Sequence, residues 1–409
     1  MVSGRGFEPN VGVDIYFGTK DEALVVTDSK GEFKDAKAHV PGSAYPGQHW
    51  VTALERNNDK GAQEPFLVQT DWSEFHFDSD GTRLNAYENV LNENTVGSLR
   101  LHWNYNSGRR FFGSPAVEHG VVYVPDWPDP GHETSNLYAL RVDDGSLLWS
   151  FTAGGFSDCP AIAKGIVYVG GGTDLYALNS KNGNLIWSFH TGSEIGSSPT
   201  VSNGAVYVGS GDFNLYALDA RSGRKLWGHA TGSYVESSPT VANGTVFVGS
   251  FDGNVYAFNA KTGALLWSYA TRGIVSSSPT EANGVVYVGS YDGNVYALNA
   301  DTGNLQWNYT TGGIVYSSPA VADGVVYVGS GDHKVYALDA STGAKLWIYT
   351  ARDQVNSSPA VANGVIFVGS DDGHVYALSA RTGAEIDGVP LVVGGLEERR
   401  SGSFYAASC

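Results

Sequence analysis

Residues 237–267 read SSPTVANGTVFVGSFDGNVYAFNAKTGALLW, and residues 277–307 have nearly the same sequence, SSPTEANGVVYVGSYDGNVYALNADTGNLQW. In five copies a proline and a tryptophan recur at a spacing of 40: Pro199, Pro239, Pro279, Pro319 and Pro359, with Trp187, Trp227, Trp267, Trp307 and Trp347. Two looser copies, around Pro115 and Pro160, precede them, which makes seven. A fixed period of this length indicates a repeat architecture.

Each copy consists of short apolar runs separated by turn signals. In the quoted copy the runs predict strands at 239–241, 245–249, 254–259 and 264–269. The Asn-Gly and Asp-Gly pairs between them are typical of tight hairpins, because such turns need residues that tolerate positive φ. Four antiparallel strands per copy, without helical periodicity, predict an all-β fold, a β-propeller of four-stranded blades.

The end of each copy carries a recurring motif, Ala257-x-Asn259-x-x-Thr262-Gly263-x-x-x-Trp267 in the quoted one. It resembles the tryptophan-docking motif of the pyrroloquinoline quinone (PQQ)-like propeller repeats, and the resemblance covers roughly residues 72–394. The resemblance implies that the indole lies between neighbouring blades, with a partner for its N–H. The tryptophans assigned to this structural role are Trp103, Trp149, Trp187, Trp227, Trp267, Trp307 and Trp347.

The last copy has Asp387 where the others have tryptophan, while residues 101–105, around Trp103, form an unmatched strand at the other end. We expect that strand to become the outer strand of the last blade, which would close a seven-bladed ring without a free edge. The alternative is a truncated eight-bladed propeller, in which residues 385–395 begin an incomplete further copy.

The rest of the chain divides around the repeats. Residues 1–70 read as alternating strands and turns and resemble the small immunoglobulin-like modules of secreted bacterial proteins, which implies a small β-sandwich. Residues 71–98 are predicted to be a linker or lead-in, residues 99–394 the propeller, and residues 395–409 a disordered tail.

Composition excludes several classes of function. The formal net charge of −17 disfavours binding to nucleic acid. The two cysteines, Cys159 and Cys409, give no zinc or haem spacing, and Cys159, which takes the place of a serine before a proline, is predicted to be a small buried residue. No apolar run is long enough for a transmembrane segment, and the first residues do not read as a signal peptide. We expect a monomer.

The resemblance raises the possibility of a quinone-dependent alcohol or sugar dehydrogenase, which would bind PQQ and calcium. Against it, the sequence has no adjacent cysteine pair and no c-type haem motif. A ring of aspartates could suggest calcium sites, but each lies singly at a hairpin where Asp is ordinary turn chemistry. These residues are Asp212, Asp252, Asp292, Asp332 and Asp372. We therefore predict no catalytic residue, no metal ligand and no cofactor, and keep the dehydrogenase as the alternative.

The copies differ mainly in two places, the loop before the first strand and the Asp-Gly hairpin, which antiparallel topology brings to one face. In the loop an apolar position at Phe111, Phe156, Ile195, Val235, Val275, Val315 and Val355 alternates with variable neighbours, so the latter should face the mouth of the central channel. A proline-rich insertion, residues 125–133, belongs to the same face. The predicted ligand-binding residues are Arg110, Phe112, Trp127, His132, Glu194, Tyr234, Glu236, Phe251, Tyr291, Tyr316, His333, Gln354 and Asn356.

Such a mixture of aromatic, charged and amide side chains is typical of a surface that binds a peptide or a glycan. Neutral drift on a solvated rim is the other interpretation. We expect a secreted or periplasmic, non-catalytic binding or scaffold protein, with export implied by the resemblance alone. A propeller lipoprotein of outer-membrane protein assembly has such a scaffold role and resembles this chain in its repeats.

Overall fold

A computed structural model gives the fold. It describes residues 2–17, 20–38, 47–58, 60–68, 72–73, 78–85, 91–111, 113–127, 134–155 and 159–386. By contacts the chain forms two compact units, one of residues 1–70 with 86–91 and one of residues 71–85 with 92–409. The predicted tail, residues 395–409, lies outside the described residues. Within them, no helix has the length and apolar character that crossing a membrane requires.

The first unit is built from strands at the positions that alternation predicts. They are β1 (Val2–Gly4), β2 (Gly12–Phe17), β3 (Lys20–Val26), β4 (Phe33–Ala36), β5 (Gly47–Glu55) and β6 (Gly61–Val68). They form a sheet of order β3-β2-β5-β6 and a pair β1-β4. Val13 and Ile15 of β2 are fully buried and pack with Phe7 and Phe33. The unit is all-β, and its immunoglobulin-like character stays a prediction.

The second unit is a series of antiparallel sheets, which we number as blades. It begins with β7 (Leu84–Asn85) and a 3-10 helix (Val96–Ser98). Blade 1 is β8 (Ala116–Glu118), β9 (Val121–Pro125), β10 (Thr134–Arg141) and β11 (Leu147–Gly154). Blade 2 is β12 (Ala161–Ala163), β13 (Ile166–Gly171), β14 (Asp174–Asn179) and β15 (Leu185–His190). Blade 3 is β16 (Thr200–Ser202), β17 (Ala205–Gly209), β18 (Asn214–Asp219) and β19 (Lys225–Ala230).

The later blades follow the same order. Blade 4 is β20 (Thr240–Ala242), β21 (Thr245–Gly249), β22 (Asn254–Asn259) and β23 (Leu265–Ala270). Blade 5 is β24 (Thr280–Ala282), β25 (Val285–Gly289), β26 (Asn294–Asn299) and β27 (Leu305–Thr310). Blade 6 is β28 (Ala320–Ala322), β29 (Val325–Ser330), β30 (Lys334–Asp339) and β31 (Lys345–Thr350). Blade 7 contains β32 (Ala360–Ala362), β33 (Val365–Gly369) and β34 (Val375–Ser379).

The strands lie within about one residue of the positions that the repeat predicts, so the all-β propeller prediction is confirmed. The second and third strands are buried on both faces: Val246, Val248 and Val255 have no exposed surface. Their apolar runs pack between neighbouring blades, as in the cluster that joins Ala257 to Val286. The number of blades in the closed ring stays a prediction.

The shared Ser-Ser-Pro-Thr element links each blade to the next. In blade 4 the first serine, Ser237, accepts a hydrogen bond from Gly249 N in its own blade at 2.9 Å. The second, Ser238, accepts one from Ser198 N of blade 3 at 3.0 Å. Thr240 Oγ1 donates to Pro279 O of blade 5 at 2.5 Å. Cys159 fills the second serine position in blade 2, is buried as predicted, and its Sγ accepts from Ser114 N.

Each repeated tryptophan contacts the following blade. Trp227 Nε1 donates to Ala260 O at 2.9 Å, and its ring lies against Gly263, where a Cβ would come within 2.7 Å of Trp227 Cδ2. Gly263 has φ +70°, so this turn needs glycine for both its backbone and its space. The indole N–H groups of Trp103, Trp149, Trp187, Trp267, Trp307 and Trp347 donate to the equivalent carbonyls.

The repeated aspartates have a structural role that goes beyond the turn. Asp252 Oδ1 accepts from Asn254 N at 2.9 Å, while Oδ2 accepts from Tyr256 Oη at 2.6 Å and from Gly232 N at 2.7 Å. Burial alone would raise the pKa of Asp252, but these hydrogen bonds hold it below its ordinary value, and burial together with the carboxylate raises the pKa of Tyr256 to about 12. Each aspartate thus connects its hairpin to the loop that follows the outer strand of the preceding blade.

The prediction that residues 101–105 form the outer strand of blade 7 is wrong. These residues belong to no strand, and the outer edge of β34 is instead met by Glu385, which bridges Leu378, and by Ile386, whose N donates to Ala377 O. The N-terminal side contacts blade 7 through packing, since Val96 lies in a cluster with Val365 and Ala377.

A further segment lies along the first strands of the blades. Residues 72–85, described at 72–73 and 78–85, were expected in a linker, yet they hydrogen-bond to β8, β12, β20, β24 and β28 and pair with β32. We call residues 72–85 the central segment.

Candidate binding face

The variable face is formed where the loop before each first strand meets the second hairpin of the same blade. Phe251 N donates to Tyr234 O at 2.9 Å in blade 4, and Tyr291 N donates to Ile274 O at 2.9 Å in blade 5. The loop and hairpin therefore lie side by side, and their side chains share one surface. The Asn-Gly and Thr-Gly turns lie at the opposite ends of the antiparallel strands.

The apolar loop position is buried in the later blades and partly exposed in the first. Ile195 is 1 % exposed, and Val235, Val275, Val315 and Val355 have no exposed surface. Val235 packs on the preceding blade, because a Cβ at Gly209 would come within 2.5 Å of its Cγ1. Phe111 is 37 % exposed, which corrects the expectation that it faces the core. Its blade has no earlier repeat before it in the chain on which to pack. Phe156, at the same position, lies outside the described residues.

Three aromatic rings from blades 3 and 4 form an exposed apolar group on this face. The rings of Phe213 and Tyr234 lie 5.3 Å apart, and those of Tyr234 and Phe251 lie 5.9 Å apart, both with edge-to-face geometry. Phe213 is 42 % exposed and Tyr234 45 %. We call Phe213, Tyr234 and Phe251 the aromatic patch.

Sequence reasoning missed Phe213. It stands in the hairpin where blades 4, 5 and 7 have Gly253, Gly293 and Gly373, and it adopts φ +75°. A phenylalanine in left-handed backbone is strained, so the position carries a cost that folding does not require. The same comparison of copies that selected Tyr234 could have found it. His333, which was selected, occupies the equivalent position in blade 6 with φ +69°.

Two carboxylates lie beside the aromatic patch. Glu194 and Glu236 are both solvent-exposed, and Glu236 leans towards blade 3, since a Cβ at Gly196 would come within 3.0 Å of Glu236 Cγ. Partial desolvation by the surrounding protein, followed by the negative charge of Glu194, raises the pKa of Glu236. Neither side chain forms a hydrogen bond or ion pair within the described residues.

The other predicted residues are spread around the same face. Tyr291 and Tyr316 are half-buried, with rings 6.0 Å apart. Asn356 is only 8 % exposed, because its Nδ2 donates to Gln354 Oε1 at 3.1 Å and to Asp371 Oδ2 at 2.9 Å. The Asn356 side chain therefore stabilises the loop and is little accessible to a ligand.

The described start of the insertion in blade 1, residues 125–127, lies at the same face. Trp127 is 37 % exposed, and its N donates to Arg110 O at 2.6 Å, so these two predicted residues lie together. Asp126 keeps the hairpin role of the other aspartates, since its Oδ2 accepts from Tyr138 Oη at 2.9 Å. Phe112 and His132 lie outside the described residues.

No metal centre emerges within the described ranges: no three or more His, Cys, Asp or Glu side chains there are grouped so that they could hold a metal ion. The hairpin aspartates instead accept hydrogen bonds from a tyrosine of their own blade and from the backbone of the loop that precedes the blade. We derive no step through calcium or a quinone.

The repeats of this chain match a known protein family. The family model described as outer membrane protein assembly factor BamB matches residues 133–235, 211–315 and 310–386, which together exceed half of the chain. The chain belongs to this BamB family. A comparison with curated proteins found no match.

Solved structures share the fold at low sequence identity. BamB from Moraxella catarrhalis is 20 % identical over 67 % of this chain and 86 % of its own, with a TM-score of 0.59. The quinohemoprotein alcohol dehydrogenase from Comamonas testosteroni is 16 % identical over 77 % and 72 %, with a TM-score of 0.67. The computationally designed Ika8 protein is 20 % identical over 68 % and 86 %, with a TM-score of 0.60. A BamB protein, an alcohol dehydrogenase and a designed protein thus share the fold of this chain.

Proposed function

We propose that this protein is a non-catalytic binding scaffold whose variable face contacts a partner protein. The observation that carries the proposal is the aromatic patch with Glu194 and Glu236 beside it. The shared tryptophans Trp187, Trp227, Trp267 and Trp307 are buried, yet this face exposes Phe213 and Tyr234. Exposed aromatic rings next to unpaired carboxylates are typical of the anchor residues of a protein interface.

The contrast with the shared positions supports this proposal. The side chains of Ser237, Ser238, Asp252 and Trp267 are all used in bonds within and between blades. The side chains of Glu194, Tyr234 and Glu236 form no hydrogen bond or ion pair in the described part of the chain. Folding therefore does not explain the identity of these residues, whereas recognition does.

The family supports a place outside the cytoplasm. Its description names an outer membrane protein assembly factor, and we propose that this chain likewise acts in the periplasm or outside the cell. A glycan is the other ligand class that such aromatic rings suit. We favour a protein because Glu194 and Glu236 can pair with basic side chains of a partner, which is the charge complementarity of protein interfaces.

The test starts from partner identification and ends with an affinity. A photo-crosslinking residue at position 251 in the full chain would identify the partner, and purified components would then give the Kd. We expect Tyr234→Ala with Glu236→Gln to weaken binding by about tenfold or more. The matched control is Leu265→Ala with Asp301→Asn, which removes one exposed apolar group and one carboxylate elsewhere. Equal affinity of the two double variants, both folded, would reject the proposal.

The dehydrogenase alternative has only the fold in its support. It is tested by incubating the full chain with PQQ and calcium and following dye reduction with alcohols or sugars. Reproducible turnover above a no-protein control would overturn the non-catalytic part of the proposal and leave the binding experiment to be judged separately.

A further inference from the structure

We propose that the first strands of the blades form a circular track for an extended polypeptide, and that the central segment of this same chain is its ligand. Among the described residues, the track consists of one backbone N–H from the first strand of each of blades 1, 2, 4, 5, 6 and 7. Its occupant is the central segment, described at residues 72–73 and 78–85. This inference does not depend on the proposed function.

The hydrogen bonds advance around the blades in step with the sequence. Val117 N and Ile162 N, of blades 1 and 2, donate to Trp72 O at 2.6 Å and Ser73 O at 2.7 Å. The bonds of blades 4 to 7 follow in order: Val241 N to Ser79 O at 2.6 Å, Glu281 N to Asp80 O at 2.9 Å, Val321 N to Thr82 O at 3.1 Å, and Val361 N to Arg83 O at 2.9 Å. All six donors occupy the same position of the repeat.

The blade itself cannot use these N–H groups. In blade 4, Val241 lies opposite Val246 in the β20–β21 ladder, and its N–H points away from β21 towards the free edge. A free edge leaves polar groups without partners, which is costly in the protein interior. The repeat therefore presents one unused donor per blade around the centre, and an extended chain satisfies them, as in strand addition.

Additional contacts fix the register of the central segment. Thr280 Oγ1 donates to Gly81 O at 2.9 Å. Gly81 has φ +75°, and the bend around it is held by Thr82 Oγ1, which donates to Asp78 Oδ2 at 2.7 Å. Beyond the bend, β7 pairs in parallel with β32, and Leu84 packs against the core of blades 6 and 7. The bend and the apolar anchor distinguish this segment from an arbitrary extended chain.

The first experiment is residue-resolved hydrogen exchange on the unmodified full chain. The amides of Val241, Glu281, Val321 and Val361 should exchange about tenfold or more slowly than the same amides in an unstructured peptide, because an amide that is hydrogen-bonded in the folded state exchanges only after local opening. Exchange of all four amides at the rate of an unstructured peptide would overturn the proposal.

The second experiment cuts the chain. A protease site placed within residues 86–90 of the full chain lets the N-terminal part leave unless the track holds it. We expect the cleaved protein to elute as one complex and the Val241→Pro, Val321→Pro double variant to separate into two fragments. Proline removes the donor and is tolerated on a free edge. Co-elution of the double variant with an intact fold would reject the track, and if that variant does not fold, the exchange rates decide.

Discussion

Phe247 is an exception among the residues that link the blades. In blades 3 and 5 a tyrosine at the equivalent position donates to the carbonyl that also receives the indole N–H: Tyr207 to Ala260 O at 3.1 Å and Tyr287 to Ala340 O at 3.0 Å. Phe247 has no hydroxyl, so among the described residues the side-chain hydrogen bond to Ala300 O comes from Trp267 alone. The ring itself is placed as in the other blades, 5.8 Å from its tryptophan.

We therefore expect Phe247→Tyr to stabilise the protein by about 1 kcal/mol, the net contribution of one hydrogen bond to an already paired carbonyl. The measurement is the free energy of unfolding from denaturant titration. Tyr287→Phe removes the equivalent hydroxyl in blade 5 and is the reverse control. It should destabilise the protein by a similar amount. A loss of stability in Phe247→Tyr would show that the space beside Ala300 O is not equivalent to that beside Ala340 O.

Individual residues also show where sequence reasoning succeeds. Ser238, Asp252 and Trp227 recur at fixed positions, and repetition alone marks them as necessary for the blade. Phe213 was missed because it was read as part of an Asp-Gly hairpin, whereas it replaces the glycine of that hairpin. Asn356 was selected for its variation, but only the structure shows that its amide is used inside the loop.

At the scale of the element, the turn before each outer strand couples two blades. Gly263 and Gly244 both have left-handed backbone, with φ +70° and +79°. They differ in their surroundings: a Cβ at Gly263 would meet the ring of Trp227 at 2.7 Å, whereas a Cβ at Gly244 would meet nothing within 4 Å. A comparison of substitutions at Gly244 and Gly263 therefore separates the energetic cost of backbone strain from the cost of disturbing the contact between blades.

We expect Gly244→Ala to cost about 1–2 kcal/mol, the strain of a left-handed alanine. Gly263→Ala should cost about 1–3 kcal/mol more, because the indole must move. Denaturant unfolding of the two variants gives the difference, and the fluorescence maximum of the tryptophans should shift only in Gly263→Ala. Equal costs would mean that the indole contact adds nothing to the stability of the ring.

Element boundaries were predicted well and connections less well. Strand positions follow from periodicity and turn residues, which are local. The closure of the ring is not local, and the assumption that residues 101–105 pair with blade 7 was wrong because Glu385 and Ile386 already meet that edge. The central segment has no repeat within it, so internal comparison could not reveal its place.

At the scale of the whole molecule, the central segment brings carboxylates together at blade 5. Glu281 is buried where the neighbouring blades have Val241 and Val321. Burial raises the pKa of Glu281, against a hydrogen bond from Gly284 N, and Asp80 and Asp301 raise it further. Burial, followed by the charge of Asp78, raises the pKa of Asp80.

The sign of the pH effect follows from these directions. The ordinary pKa values are 4.5 for Glu281 and 3.8 for Asp80, and both are raised in the folded protein. The folded state therefore binds protons more tightly, and stability falls as the pH rises through the raised values. We expect Glu281→Val to stabilise the protein by about 1 kcal/mol at pH 7 and by less at pH 4.

Unfolding of both proteins across this pH range checks the prediction. Glu281→Gln, which removes the charge but keeps the shape, should follow Glu281→Val in its pH dependence. The hairpin aspartates, whose pKa values are lowered, lose their contribution only below about 3.8 and do so equally in all variants. A difference between wild type and variant that is the same at pH 4 and pH 7 would contradict the assignment.

The central segment also imposes an order on folding during synthesis. Residues 72–85 leave the ribosome before any blade does. Their last partner, Val361 of blade 7, leaves only after blades 1 to 6. Glu93 and Ser379, which also hydrogen-bond, are 286 positions apart. Blades can form one after another from local contacts, but the centre is completed last. A nascent chain of this protein therefore carries a central segment that lacks some of its partners until the final repeat appears, and it is most exposed to misassembly before that point.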